Sequence, residues 1–370
     1  MRSKSSRGKP KIIAFPPFQS HPTPVAIRSR AARVALGLVL CVAGGALCAW
    51  ARTPLPWMIG SILAMAIAQI LGLGLEPLPG GRDAGLVIVG TALGLHFSAP
   101  VVHQVSSYWA WFVALGFAAI ALGGASGWLL AKLSRCDAPT AWFAMMPGGA
   151  SEMAVTGERH GARTDSVAFA HSMRMLLTVT IFPVAITLAG FSAHEEFQDA
   201  YIPFSVPRIA LLFAIATACG WLARRIGLPT AYMIGSLAAT VALTVNGVTL
   251  SSVPSWFSSA AQVLLGCSLG ARFDRTFLKS APRFVAALVP SIALTLVLAA
   301  LAGWALAWGT GVYVGSGLLA AAPGGIAEMS ITAKVLHMGV AFVTAAHVVR
   351  YVIVVLFTGT VFKLVTKHLR

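Results

Sequence analysis

The chain has 370 residues, of which 57% are hydrophobic and only 10% charged, and its mean hydropathy is +0.81. A soluble domain of average composition carries about 25% charged residues, so a water-soluble globule is excluded and lipid is the expected solvent. The net charge of +16 does not imply a nucleic-acid partner, because the basic residues sit in short connections and at the two ends, the pattern of cytoplasmic loops facing anionic lipid.

Residues 1–30 contain Arg2, Lys4, Arg7, Lys9, Lys11, Arg28 and Arg30, five prolines and no acidic residue. They cannot bury a core and are expected to be a disordered cytoplasmic tail. The apolar run 33–51 follows, and because many more such runs come after it, it is expected to be a retained first span rather than a signal-peptide core. Further apolar segments fall near 55–75, 84–103, 106–131, 139–157 and 166–191. A second set lies near 206–223, 230–249, 258–271, 284–309, 313–333 and 338–364. A membrane helix needs about 20 apolar residues, which most of these supply. The segment 258–271 is short, and those around Pro147 and Pro323 are interrupted.

The two sets are copies of one unit. Pro54 and the block Met58-Ile59-Gly60-Ser61 recur as Pro229 and Met233-Ile234-Gly235-Ser236, an offset of 175. Gly90, Leu93, Gly94, His96 and Phe97 recur as Gly266, Leu269, Gly270, Arg272 and Phe273, and Pro147-Gly148-Gly149 with Glu152-Met153 recurs as Pro323-Gly324-Gly325 with Glu328-Met329, both at an offset of 176. Ala170-His171 with Arg174 recurs as Ala346-His347 with Arg350 at the same spacing. The expected division is therefore a tail over 1–30, membrane repeat 1 over 31–200 and membrane repeat 2 over 201–370.

Charge decides the orientation of the second copy. If all six segments of each half crossed the membrane, Arg224, Arg225, Arg272, Arg275 and Lys279 would lie outside, against the positive-inside rule. If the Pro-Gly-Gly element dips in and returns, these residues lie inside with Lys132, Arg135, Arg159, Arg163, Lys363, Lys367 and Arg370. The acidic cluster Glu195, Glu196 and Asp199 then lies outside, and only Arg52, Arg208 and Lys334 are misplaced. The expected fold is an all-α polytopic membrane protein, with two inverted repeats of about five crossing helices plus one broken or re-entrant element each. The expected location is the bacterial inner membrane, with the N-terminus cytoplasmic.

Pro-Gly-Gly inside an apolar segment breaks a helix, and in lipid the freed backbone groups must be satisfied within the protein or in a wet cavity. A lone proline would be read as a kink. A break at matching places in two halves points instead to a transporter binding site, so Pro147, Gly148, Gly149, Pro323, Gly324 and Gly325 are candidate substrate-binding positions. Glu152 and Glu328 stand one turn beyond each break. A carboxylate there costs about 3 kcal/mol or more on insertion scales unless paired, solvated or protonated. It is read either as a cap on the exposed helix start or as a proton or cation coupling site.

His171 with Arg174, and His347 with Arg350, share a helical face at i, i+3. The arginines fit either a structural ion pair to Glu152 and Glu328 or a clamp on an anionic substrate, with the histidines assigned to coupling. Five cysteines without a CxxC pair suggest neither a metal nor a disulfide framework. Nine scattered histidines do not make the several-ligand copper or iron site a monooxygenase needs. No enzyme activity, metal or cofactor is expected.

At the Pro-Gly-Gly-x-x-Glu-Met blocks the chain resembles the membrane AbrB family, over about residues 33–365. The resemblance implies a duplicated membrane protein. Members are described as transporters, as regulators of gene expression and, under an older label, as ammonia monooxygenases. More distantly the architecture is similar to cation/proton antiporters and bile-acid-type symporters, whose inverted repeats contain broken helices. The function expected is secondary transport of a small, anionic organic solute by alternating access, coupled to H+ or Na+. The alternative is a membrane sensor that binds a solute and regulates gene expression. Expected partners are that solute, the coupling ion, the lipid bilayer and, as an open alternative, a second copy in a homodimer.

Overall fold

A computed structural model describes residues 29–191, 203–273 and 275–368, and their regular structure is helical throughout. Residues 1–28 of the basic tail and the cluster Glu195, Glu196 and Asp199 lie outside the described residues. The first repeat gives α1 (Arg30–Trp50), α2 (Pro56–Ile70), α3 (Gly81–Gly94), α4 (Ala99–Ser106), α5 (Trp109–Ser134), α6 (Ala138–Met145), α7 (Ala150–Glu158) and α8 (Thr164–Leu188). The second gives α9 (Val206–Arg225), α10 (Ala231–Val245), α11 (Ser255–Gly270), α12 (Arg275–Ser280), α13 (Pro282–Thr310), α14 (Val314–Ala321), α15 (Ile326–Val335) and α16 (Val340–His368).

The duplication persists into the backbone. The starts of α4, α6, α7 and α8 recur 176 residues later as those of α12, α14, α15 and α16. Leu55 and Thr230, each just before its helix, share a left-handed φ of 49°. The cap of α5 is Arg135 at φ 58°, and that of α13 is Gly311 at φ 74°. Glycine at one copy of a position reveals the conformation that the other copy adopts against its side chain's preference.

Among the described residues α1, α5, α8, α9, α13 and α16 are long and apolar enough to cross a membrane. The segment expected to cross as one helix over 84–103 is instead bent by 92° between α3 and α4. The chain turns at Ser98, which is extended (φ −70°, ψ 163°), and Pro100 sits in the first turn of α4, where its missing N–H costs nothing.

Inversion follows from directions. Arg283 Nε, near the start of α13, donates to the Leu133 carbonyl near the end of α5. At the other ends, Trp111 packs on Gly309. These two equivalent helices are therefore antiparallel. By contrast α11 runs parallel to α2, with Gly266 over Met58 and Ser61 and Gly270 over Ile62 and Met65, and α3 runs parallel to α10, with Gly90 over Met233 and Gly94 over Leu237 and Thr240. Each repeat thus lays its Gly-rich helix on the Met-Ile-Gly-Ser helix of the other, an exchange related by an approximate two-fold.

The helices sort into two bundles that each draw on both repeats. α1, α2 and α3 pack with α9, α10 and α11, while α5 to α8 pack with α13 to α16. Small residues make the closest crossings, as expected where lipid supplies no hydrophobic drive between helices. A Cβ on Gly303 would sit 2.6 Å from the Gly317 carbonyl. Gly303→Ala is expected to cost about 1–3 kcal/mol and to lower the melting temperature of the detergent-purified protein. An unchanged melt would show that α13 and α14 have room to separate.

Candidate functional site

Each Pro-Gly-Gly motif breaks the chain into two half-helices. α6 ends at Met145, the chain bends through Met146–Gly148, where the Gly148 N–H donates to the Met146 carbonyl, and α7 starts at Ala150 after the extended Gly149. A bend at the equivalent place takes α14 through Ala322–Gly325 into α15. A half-helix leaves its last carbonyls without helical partners, and inside a bilayer no bulk water replaces them.

The His–Arg pairs supply the missing donors. From α8, Arg174 Nη1 donates to the carbonyls of Met145 (3.3 Å) and Met146 (2.6 Å), and Nη2 donates to that of Gly148 (3.3 Å). From α16, Arg350 repeats the pattern on Ala321 (3.2 Å), Ala322 (2.6 Å) and Gly324 (2.9 Å). One turn earlier, His171 Nε2 lies 3.0 Å from the Phe143 carbonyl, and His347 Nε2 lies 2.9 Å from that of Leu319. Each arginine also meets the Nδ1 of its histidine, at 3.0 Å and 2.7 Å.

These partners fix the histidine state. Nδ1 faces a guanidinium and must accept, while Nε2 faces a carbonyl and must donate, so both rings are neutral with the proton on Nε2. In this arrangement neither ring has a nitrogen left to take up a proton. Each arginine likewise has both N–H bonds of Nη1 and Nη2 engaged, leaving only Nε–H, which is buried and unpartnered in both copies.

The carboxylates sit on the other side of each break. Glu152 Oε2 lies where a Cβ on Gly149 would be, and Glu328 Oε2 where one on Gly325 would be, so both side chains fold back over the start of their own helix. Among the described residues neither forms an ion pair with Arg174 or Arg350. The break holds the two charges apart: the guanidinium meets the negative end of one half-helix and the carboxylate the positive end of the next.

A cavity of about 80 Å³ lies where the two breaks meet. Pro147, Gly148, Gly149, Gly324, Gly325, Glu328, His171, His347 and Arg350 line it, whereas Arg174 and Pro323 stand behind the wall. Glu328 is buried and Glu152 half-buried. The opposite wall comes from the other bundle, through Arg82 and Leu86 of α3, Thr230 at the start of α10, and Leu269 and Arg272 at the end of α11. Thr230 Oγ1 donates to the Tyr351 hydroxyl across this seam at 3.2 Å.

Sequence reading did not single out Arg82, Thr230 or Tyr351, and placed Arg272 near a membrane face without a role. The available signal was the mismatch between copies, since Arg272 replaces His96 and Ser258 stands at the position equivalent to Arg82. Among the described residues no three His, Cys, Asp or Glu side chains converge as a metal site.

A family model described as "Transition state regulatory protein AbrB" matches residues 57–366, a span that includes both breaks and both His–Arg pairs. The chain is 27% identical over 344 residues to "Uncharacterized protein YhjN" of Bacillus subtilis (strain 168), covering 86% of this chain and 89% of that one. It is 23% identical over 300 residues to "Putative regulator AbrB" of Escherichia coli (strain K12), covering 80% and 86%. A duplicated all-helical membrane chain matched over most of its length in this way belongs to the membrane AbrB family.

Proposed function

We propose that the protein is a secondary transporter that moves a small anionic organic solute by alternating access, with an ion gradient as its driving force. The observation that carries this reading is the convergence of two inverted broken helices on one cavity at the seam between two bundles. Helix starts, guanidinium groups and a buried carboxylate face the same space there. A seam between rigid bundles is where relative motion opens one side and closes the other. The positive starts of α7 and α15 and the arginines favour an anion, and Glu328 is the group placed to couple an ion. Positive charge at Arg82, Arg224, Arg225, Arg272 and Arg275 supports an inner-membrane location with this side, and the N-terminus, cytoplasmic.

Purified protein in liposomes should take up a radiolabelled short carboxylate faster under an inward proton or sodium gradient than without one. Equal uptake by empty liposomes across a panel of such acids would sink transport. A second reading follows the E. coli relative, a "Putative regulator AbrB": a sensor that binds the solute at the same cavity and does not move it. Binding without flux would select it.

A further inference from the structure

The cavity has four arginines near it, but only two are uncommitted. Arg174 and Arg350 spend every Nη hydrogen on carbonyls and histidine. Arg82 and Arg272 are exposed, line the cavity and make no hydrogen bond or ion pair among the described residues. They come from the bundle opposite the breaks and are not duplicated, so the pseudo-symmetric structure has one cationic wall rather than two. The carboxylate that lines the cavity with them is that of Glu328.

Resting on the transport reading above, we infer that Arg82 and Arg272 bind the carboxylate of a small organic acid in the cavity they share with Glu328, and that Glu328 takes up one proton as the anion binds. The planar guanidinium fits a carboxylate in two-point fashion. The rest of the lining supports an organic rather than an inorganic anion, since Leu86, Met175 and Leu269 offer apolar contact for a short carbon chain. A cavity of about 80 Å³ has room for a few waters or one such molecule.

The proton uptake follows from what surrounds Glu328. α3 and the end of α11 supply Arg82 and Arg272; α16 supplies Tyr351, the neutral His347 and the carbonyl-bound Arg350; and α8 supplies the neutral His171, while Glu152 of α7 stands outside the cavity wall. A carboxylate held between the two free guanidinium groups takes their N–H donors and sets a like charge beside the buried Glu328 carboxylate, and where two carboxylates share a low-dielectric site one of them takes up a proton. The proton comes from the aqueous side to which the cavity opens and forms an O–H bond on the carboxylate, so anion and proton enter together as a neutral pair.

The test is calorimetry on the detergent-purified full chain with short monocarboxylates from acetate to hexanoate, run in two buffers of different ionisation heat. Expected are binding by at least one of these acids, uptake of one proton per anion, and weakening by about tenfold or more in both Arg82→Gln and Arg272→Gln, with Arg272→Lys intermediate. Glu328→Gln should bind at least as well as the parent and take up no proton. Loss of binding in Glu328→Gln protein that elutes as a folded species, retained proton uptake in that variant, full binding by both arginine variants, or no binding by any of these acids would each overturn the inference. Because binding and proton stoichiometry are read without flux, confirmed proton-linked binding with no uptake into liposomes would leave this site standing and remove transport alone.

Discussion

Arg350→Gln is expected to leave the protein largely unable to reach or hold its folded state. A glutamine amide reaches one carbonyl at most, so two of the three that Arg350 serves stay unpaired where no bulk water can reach them. Each unsatisfied buried group costs about 1–3 kcal/mol, giving about 2–6 kcal/mol against the 5–15 kcal/mol that stabilises a typical domain. The removed charge also faced the negative end of α14, which adds to the loss. Arg174→Gln should have the same effect to a smaller degree, because its partners are the equivalent carbonyls of the first break but the Met146 carbonyl also accepts from the Gly148 N–H. Fluorescence-detected size exclusion and a melting curve in detergent are the measurements. A variant that accumulates normally, melts like the parent and has lost only ligand binding would turn both arginines from structural keystones into a substrate clamp.

Gly325→Ala should have the opposite profile, with function lost and the fold kept. The new methyl group would occupy the place of Glu328 Oε2 and approach Met175 Cε at 2.8 Å. Both obstacles are ends of flexible side chains, so they can move at about 1–3 kcal/mol without dismantling a helix crossing. The carboxylate, however, is evicted from the start of α15 and from its position before Arg82 and Arg272. Proton-driven uptake into liposomes should fall by about a hundredfold, on the scale of a misplacement of order 1 Å at a reacting group, with yield and elution volume near those of the parent. Gly149→Ala makes the informative comparison, because Glu152 is half-buried and stands outside the cavity wall. It should cost less. Equal losses in the two variants would show that both carboxylates couple.

Much of this arrangement was legible in the sequence. The repeated blocks gave the duplication, the Pro-Gly-Gly pairs gave both breaks, and the uneven distribution of Lys and Arg gave an inverted second copy, which the antiparallel α5 and α13 bear out. The partners of the buried arginines were not legible. Spacing at i, i+3 says that His171 and Arg174 share a face, but not which neighbour that face meets, and a nearby glutamate is the more obvious electrostatic partner than a row of carbonyls. Backbone acceptors carry no residue signature. The bend between α3 and α4 was harder to see, since the link Leu95–Ser98 is only four residues long and interrupts the apolar run with no more than His96 and Ser98 before Pro100 marks the new start. Arg82 lay in a connection, where positive-inside counting absorbs any arginine as a topology signal.

The mutual exchange of α2 with α11 and of α3 with α10 has a consequence for how the protein is made. When the first half leaves the ribosome, the Gly-lined faces of α3 and the Met-Ile-Gly-Ser face of α2 have no mates, because those mates are not yet synthesised. Long-range partnering of this kind is slow and leaves surfaces open to mispairing and proteolysis. A first half expressed alone has nothing to lie against except another copy of itself, whereas two halves made as separate chains carry every surface needed to assemble. The covalent link between them then serves mainly to ensure that the right partner arrives, in the right numbers, before quality control removes the first.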